Sequence, residues 1–450
     1  MAPPEDTIAA LATPAGTSAL AVVRITGPEA KRLAADIFGL TPLPRTAHRG
    51  DYRDQAGLLL DDVLFTFFAG PRSYTGEDVL EISGHGNPWI VVRLLDDLYA
   101  RGCRPAEPGE FTRRAFLNGR MDLSQAEAVM DLIQARSERA LAAAHQILRG
   151  ALGRELQSLT DEIVGALANV EAYIDFPEED LPEEDRAGLR RRLQAAADGA
   201  ARLLATRPYG DLLREGIKTV LVGEPNAGKS SLLNRLVGRD RALVSAEPGT
   251  TRDFIEERVI VGPHSLRLID TAGLNPAPAP LEQLGMAKTR ECIEESDMVL
   301  LVLDSTRPTP PLLGSGLASF DPARTLLVLN KTDLPASAGT AAPPGWRSVR
   351  VSALSGAGLD ELGTAIVAQA DRQRPADNPD GVTINARHAH ALLVAQECLC
   401  QALTKLESGT DTTLLASDLR GALAALGEIS GKIDNERVLD LLFSSFCIGK

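Results

Sequence analysis

The chain is poor in aromatic residues, which make up 4% of its 450 positions, so its cores must rest on Leu, Val, Ile and Ala. Cysteines are few: Cys103, Cys292, Cys398, Cys400 and Cys447 are five in number, and no CxxC pair occurs. An odd count without paired spacing argues against a disulfide framework and against a zinc site, and for a reducing cytoplasmic setting. No apolar run approaches the length that spans a bilayer; the stretch at 298–303 is among the longest. The first residues, Met1-Ala-Pro-Pro-Glu-Asp, lack the basic and apolar regions of a signal peptide, so neither export nor a membrane partner is expected. Positive charge is not in excess either. A formal net charge of −14 repels phosphate backbones on average and speaks against tight non-specific nucleic-acid binding. Arg113-Arg114 and Arg190-Arg191-Arg192 are local basic runs, and such runs read as solvated helix faces.

What is present is a globular composition, 44% hydrophobic and 24% charged, with length for about three domains. Residues 1–120 mix short β-like runs (19–25, 63–68, 79–82) with a helical stretch near 88–101, an α/β texture. From 121 the pattern turns helical. Leu141, Ala144, Leu148, Leu152, Leu156, Leu159, Ile163, Leu167, Val170 and Ile174 recur at steps of three or four, which predicts one long amphipathic helix. A second helix is expected at 183–205, after an acidic, proline-bounded turn at 177–182. Short apolar runs at 219–222, 258–261, 266–269, 298–303, 325–329 and 349–351 then alternate with helices, the sign of a mostly parallel sheet, with a hairpin turn at Gly262-Pro263. Helical texture returns at 389–406, 412–426 and 438–446. His388 and His390 read as a helix start, and Cys398 and Cys400 as core residues of that helix. The expected fold class is therefore a multidomain mixture of α/β and all-α. An N-terminal α/β domain (1–120) precedes a helical domain in two parts (121–215 and 373–450), which is interrupted by a P-loop, Ras-like G domain (216–372).

The chemistry is concentrated in that insert. Gly223-Glu-Pro-Asn226-Ala227-Gly228-Lys229-Ser230 fits GxxxxGK[ST] between an apolar strand and a helix, the context the motif requires. Its main-chain amides close around phosphates at a helix N-terminus. Lys229 is placed to reach the β- and γ-phosphates, and Ser230 to ligate Mg2+, with Ser231 following. Asp270-Thr271-Ala272-Gly273 closes the strand at 266–269; a carboxylate there holds Mg2+ through water and the glycine amide senses the γ-phosphate. Asn330-Lys331-Thr332-Asp333 closes the strand at 325–329 and selects the base. Its carboxylate accepts from guanine N1–H and the 2-amino group, donors that adenine lacks, so GTP is preferred over ATP. Ser352-Ala353-Leu354 suits the loop that backs the base. Gly249-Thr250-Thr251-Arg252-Asp253 lies where a threonine completes the Mg2+ shell, making an order–disorder switch.

Ras-type enzymes use a glutamine after the DxxG glycine; here Leu274 stands there and cannot orient water. Asn226 offers an amide oxygen to a cation beside the phosphates, and Glu282 is placed either to position the attacking water or simply to favour a helix N-terminus.

With these residues in view, the chain resembles the tRNA uridine modification GTPase family, MnmE (TrmE), over essentially its full length. The marks are GEPNAGKSS at 223–231, PGTTRD at 248–253, DTAGL at 270–274, PGEFTRRAFLNGRMDLSQAEAV at 108–129 and the terminal Cys447-Ile-Gly-Lys450. The resemblance implies a cytoplasmic homodimer, paired through its N-terminal domain. It implies a FAD-dependent flavoprotein partner, MnmG, in a heterotetramer or larger assembly, and tRNA as substrate. The two proteins build an aminomethyl or carboxymethylaminomethyl group on C5 of the wobble uridine (position 34). The carbon comes from 5,10-methylene- or 5-formyl-tetrahydrofolate, and the cations are Mg2+ and K+. By motif, the GTP site gains Ser245, Ala246, Glu247, Pro248, Gly249, Thr250 and Thr251. K+ falls to Asn226, Ser245, Glu247 and Thr250, Mg2+ to Ser230 and Thr251, and water positioning to Glu282. Folate contacts fall to Arg24, Glu81, Arg120 and Lys450. Position 120 is often lysine in the family; arginine keeps the charge and changes the geometry. Cys447 is either a nucleophile of lowered pKa or a packed, ligand-adjacent thiol. The alternative function is a regulatory GTPase of ribosome assembly, without covalent RNA chemistry; binding of a reduced folate separates the two.

Asp333→Asn turns one acceptor into a donor. Nucleotide competition should then show preference moving from GTP toward xanthosine triphosphate; an unmoved base preference contradicts the assignment of Asp333.

Overall fold

The computed structural model describes residues 6–175, 186–239, 256–270, 291–308, 320–335, 342–375, 381–408, 412–431, 439, 442–444 and 446–449. They fall into two compact units. One comprises residues 1–130, 148–160 and 420–450, the other residues 131–147 and 161–419.

The first unit is built on a six-stranded sheet of order β3-β4-β5-β2-β1-β6. Its strands are β1 (Ile8–Leu11), β2 (Ser18–Thr26), β3 (Ala47–Arg53), β4 (Leu59–Phe68), β5 (Val79–Gly86) and β6 (Arg104–Pro105). All neighbours pair antiparallel except β1 and β6. Strand β4 explains the layering. Val63, Phe65 and Phe67 alternate inward along it, and two helices, α1 (Ala30–Phe38) and α2 (Pro88–Ala100), lay Leu33, Ile37, Leu94 and Leu98 against that face. Helix α3 (Glu110–Leu117) follows β6, and α4 (Leu123–Gln134) follows α3. The chain's C-terminal residues Leu439, Phe443 and Phe446 pack with Leu123, Ala126 and Met130 of α4. Gly109 is the pivot of that packing: it is left-handed at φ 67°, and a Cβ there would stand 2.7 Å from the Phe443 carbonyl oxygen.

The basic run Arg113-Arg114 departs from the solvated face expected of it. Arg114 is only 1% exposed, and its guanidinium meets Asp6 at 2.7 Å, Glu110 at 2.9 Å and Glu77 at 3.3 Å. Burial alone would raise the Glu110 carboxyl, yet the bonds from Arg104, the Glu107 amide and Arg114 bring it below its ordinary value. Arg190, Arg191 and Arg192 are exposed, as a solvated face requires.

The long helix expected through 141–174 is two helices, α5 (Glu138–Leu148) and α6 (Ala151–Asp175). Gly150 breaks it at φ 79°, a left-handed conformation that ends an α-helix; the apolar steps continue across the break and hide it. Helices α7 (Arg186–Leu204) and α8 (Arg207–Glu215) lead into a second six-stranded sheet, β12-β11-β10-β7-β9-β8. It contains β7 (Ile217–Val222), β8 (Glu256–Val261), β9 (His264–Asp270), β10 (Met298–Asp304), β11 (Thr325–Asn330) and β12 (Ser348–Arg350), with helix α9 (Lys229–Arg239) after β7 and α10 (Leu359–Ala370) after β12. Only β8 runs antiparallel, folded back on β9 through the two-residue turn at Gly262-Pro263. Leu232, Leu236, Leu300, Val328, Leu362 and Ile366 belong to the core cluster that joins the sheet to α9 and α10.

After the sheet come α11 (Ala386–Ser408) and α12 (Thr412–Ser430). Helix α11 packs along α7, with Arg190 and Glu407 paired at 3.0 Å. His388 and His390 lie in the first turn of α11, where the Asn385 side chain accepts from the His388 amide. Cys398 is half-buried, but Cys400 is exposed rather than core: two residues along a helix turn it to another face.

Replacing Arg114 with Met takes the buried cationic partner from three carboxylates, two of which keep Arg104, and breaking a buried pair costs about 3–5 kcal/mol. Asp6 and Glu110, held below their ordinary values in the fold, add stability above those values that is lost as pH falls through the folded ones. Denaturant titrations should therefore show wild type weakening in acid, and the variant weak at neutral pH with a flatter acid limb. Equal neutral stability of the two proteins contradicts the account.

Candidate nucleotide site

Parallel pairing brings the carboxyl ends of β7, β9, β10 and β11 to one edge of the sheet. Leu221 is opposite Asp270, Leu301 opposite Val222, and Asp304 opposite Asn330. Ligands of open α/β sheets bind at this edge.

The loop after β7 fits there because of its residue types. A Cβ on Gly223 would sit 2.2 Å from the Val302 carbonyl oxygen, and one on Gly228 would sit 2.2 Å from Asn330 Nδ2, so neither position admits a side chain. Asn226 is left-handed at φ 65°, a conformation that asparagine tolerates better than most residues. Lys229, at the start of α9, is 7% exposed and donates to the carbonyls of Gly223 and Glu224 at 2.8 and 3.0 Å. Burial holds its ammonium below the ordinary value, opposed by the Asp270 carboxylate. Ser230 Oγ donates to Asp270 Oδ2 at 2.8 Å, so a hydroxyl at the start of α9 and a carboxylate at the end of β9, both hard oxygens, meet beside the lysine.

Asn330 is 2% exposed and uses both ends of its carboxamide. Its Nδ2 donates to the Ala227 carbonyl at 2.9 Å, and its Oδ1 accepts from the Ala353 amide at 3.0 Å. Lys331 stands at φ 65°, with its Nζ on Asp304 Oδ2 at 2.7 Å. Burial would raise Asp304, but hydrogen bonds from Lys331 and from the Thr306 hydroxyl and amide bring it down to about 2. The Thr332 amide donates to the Val351 carbonyl, and the fully buried Ser352 donates its hydroxyl to Asp333 Oδ1 at 2.6 Å. Gly228, Ser231, Lys331, Asp333, Ala353 and Leu354 line a cavity of about 480 Å³ together with Asn234, Arg235, Asn330 and Leu334.

The structure thus gathers Asn226, Ala227, Gly228, Lys229, Ser230, Ser231, Asp270, Asn330, Lys331, Thr332, Asp333, Ser352, Ala353 and Leu354 at one edge. Ser245, Ala246, Glu247, Pro248, Gly249, Thr250, Thr251, Thr271, Ala272, Gly273, Glu282 and Lys450 lie outside the described residues. Sequence reasoning missed Asp304 and Arg235. The first had a signal, since it closes an apolar strand as Asp270 does. The second had none, being one polar residue on a helix face.

In the first unit, Arg24 and Glu81 are neighbours across β2 and β5, with Arg24 Nη2 at 2.7 Å from Glu81 Oε1. The Arg24 guanidinium lies over the rings of Tyr74 and Phe111 at 5.5 and 5.8 Å and donates to the Gly449 carbonyl at 3.3 Å. The exposed Cys447 offers its carbonyl to the Gly109 amide, which brings the C-terminal residues onto this site. Arg120 is exposed just beyond α3, against Gly76.

A phosphate-cradling loop after β7, a hydroxyl–carboxylate pair between α9 and β9 and an Asn-Lys-Thr-Asp loop closing β11 define a P-loop GTPase. Two family models match, "MnmE helical domain" over residues 123–447 and "GTP-binding protein TrmE N-terminus" over residues 7–120. Three curated proteins, each named tRNA modification GTPase MnmE, are similar along their whole length. The one from Opitutus terrae is 60% identical over 452 residues, covering 100% of both chains. That from Akkermansia muciniphila is 45% identical over 455 residues, again 100% of both. That from Natranaerobius thermophilus is 41% identical over 456 residues, 99% of this chain and 100% of the relative. The chain belongs to the MnmE family of tRNA modification GTPases.

Asn330→Ala removes two buried hydrogen bonds and leaves the Ala227 carbonyl and Ala353 amide without their partner, a loss of about 1–3 kcal/mol per stranded group. Calorimetric titration with GDP should show affinity reduced by at least about tenfold; an unchanged affinity contradicts the bridging role.

Proposed function

We propose that GTP hydrolysis at this edge drives modification of C5 of the wobble uridine (position 34) in certain tRNAs. The chain acts as a homodimer with a FAD-dependent flavoprotein, MnmG, and the added aminomethyl or carboxymethylaminomethyl group takes its carbon from a tetrahydrofolate. The observation that carries the nucleotide half is the Asp333 carboxylate, fixed by Ser352 beside a cavity that also reaches Gly228. One oxygen is held by the hydroxyl, and the carboxylate retains acceptor capacity for the two guanine donors. Membership in the family supports the RNA half.

The donor set suits the cations. Ser230 and Asp270 present hard oxygens of the kind Mg2+ takes, directly and through water, with Thr251 joining them. Mg2+, when bound, neutralises charge on the β- and γ-phosphates. Asn226, left-handed in the phosphate loop, would hold K+ together with Ser245, Glu247 and Thr250. Lys229 leaves the carbonyls of Gly223 and Glu224 for phosphate oxygens, a stronger partner for a desolvated ammonium. Glu282 positions the attacking water.

Residues 1–120 form the folate-binding and dimerisation domain, and residues 121–215 and 373–450 form the helical domain that carries the G domain at 216–372. The Arg24–Glu81 pair, flanked by Tyr74 and Phe111 and reached by the C-terminal residues, fits a pterin and its acidic tail. Glu81 accepts from an amidine edge, and Arg24, Arg120 and Lys450 meet carboxylates. Tetrahydrofolate supplies the one-carbon unit when bound. Cys447 stands two residues before Gly449, whose carbonyl Arg24 holds.

Phosphate release should run faster in K+ than in Na+. In cells that lack their own copy, wild type should restore the C5-modified wobble uridine detected by nucleoside mass spectrometry, and Asp270→Ala should not. Equal rates in the two salts remove the K+ role; full modification by the variant separates hydrolysis from the tRNA chemistry.

A further inference from the structure

The loop Ser352–Ala353–Leu354 lies outside strand and helix. Ser352 is held within its own turn: its amide donates to the Ala357 carbonyl at 2.9 Å, its carbonyl accepts from the Gly356 amide at 2.8 Å and its hydroxyl from the Ser355 amide at 3.0 Å, whereas side chains from other elements reach Ala353 and Leu354. The Asn330 side chain holds the Ala353 amide from one side. From the other side Arg235, on α9, donates from Nε to the Ala353 carbonyl at 3.1 Å and from Nη2 to the Leu354 carbonyl at 2.6 Å. A planar guanidinium can meet two successive carbonyls at once, which an ammonium cannot do with the same geometry. Arg235 stands on the helix that opens with Lys229 and Ser230, so one rigid element reaches the phosphate end of the site through its first turn and the base end through Arg235. Leu354, the far end of this loop, is 79% exposed and lines the cavity with Asp333.

From this geometry we propose that Arg235 is a positioning residue for guanine: it fixes Ala353 and Leu354, the wall of the cavity that Asp333 also lines, and so holds the base against that carboxylate. The role deepens the guanine-nucleotide reading and rests on it. Arg235 acts on nucleotide residence and base discrimination, and has no part in the hydrolytic step. Its own side chain is exposed, while α9 is anchored by buried Leu232, Leu233 and Leu236, so replacing it leaves the helix's apolar packing in place.

The test is release of a fluorescent GDP from wild type, Arg235→Ala and Arg235→Lys, with steady-state hydrolysis of GTP and binding of inosine diphosphate, which lacks the 2-amino group, alongside. Arg235→Ala should release GDP about tenfold faster, as expected for the loss of charge-assisted bonds, and raise KM for GTP with kcat within about twofold. The guanosine-over-inosine preference should shrink. Arg235→Lys, able to reach one carbonyl, should fall between. A release rate for Arg235→Ala within about twofold of a tightly binding wild type overturns the proposal, as does a fall in kcat at unchanged KM. Should wild type itself fail to prefer guanosine over inosine diphosphate, the guanine reading fails instead, and the proposal with it.

Discussion

The Asn330 carboxamide joins three segments that are far apart in the chain. Its own strand, β11, lies between β12 and β10; its nitrogen holds the P-loop at Ala227, and its oxygen holds the base loop at Ala353. A buried amide with only one end satisfied would cost more than a paired one returns, so its two bonds stand or fall together. The close approach also dictates sequence nearby: Gly228 must be glycine because Asn330 Nδ2 occupies the space a Cβ would fill. Given this joint, the phosphate end of the site and the base end keep a fixed separation, which is what recognising a whole nucleotide requires.

Strain and charge are arranged around the same joint. Asn226 and Lys331, both left-handed without being glycine, flank it in the two loops. Such residues persist when their surroundings determine them. For Lys331 the surrounding is Asp304, kept ionised by three hydrogen bonds at the end of β10. Lys229, its ammonium held below the ordinary value by burial, is bonded to two loop carbonyls. The first unit uses the same logic differently. Arg114 is buried among carboxylates as a structural centre, whereas Arg24, with Glu81 and two aromatic rings, keeps a surface that a ligand can reach.

The G-domain motifs were legible because they are local: each is a short run at a strand end, and strand ends show as the edges of apolar runs. The hairpin at Gly262-Pro263 was legible for the same reason. What the sequence concealed was non-local or lay against the pattern. The apolar periodicity passes through Gly150, so two helices looked like one. Arg114 differs from Arg113 only in which partners the fold brings, and Asp6, Glu77 and Glu110 are scattered along the chain. Arg235 meets carbonyls more than a hundred positions away, as its bonds to Ala353 and Leu354 show. The family resemblance singled out Arg24 and Glu81 as folate contacts; neither their pairing nor the rings beneath Arg24 followed from it.

If one carboxylate, steadied by Ser352, chooses the base, the choice must appear in the unmodified protein. Displacement of a fluorescent guanine nucleotide from the full-length chain by GTP and by ATP measures it directly. The structure predicts that ATP needs a concentration at least about a hundredfold higher than GTP, because adenine leaves Asp333 unanswered. Displacement by both at similar concentrations would contradict the account at its centre.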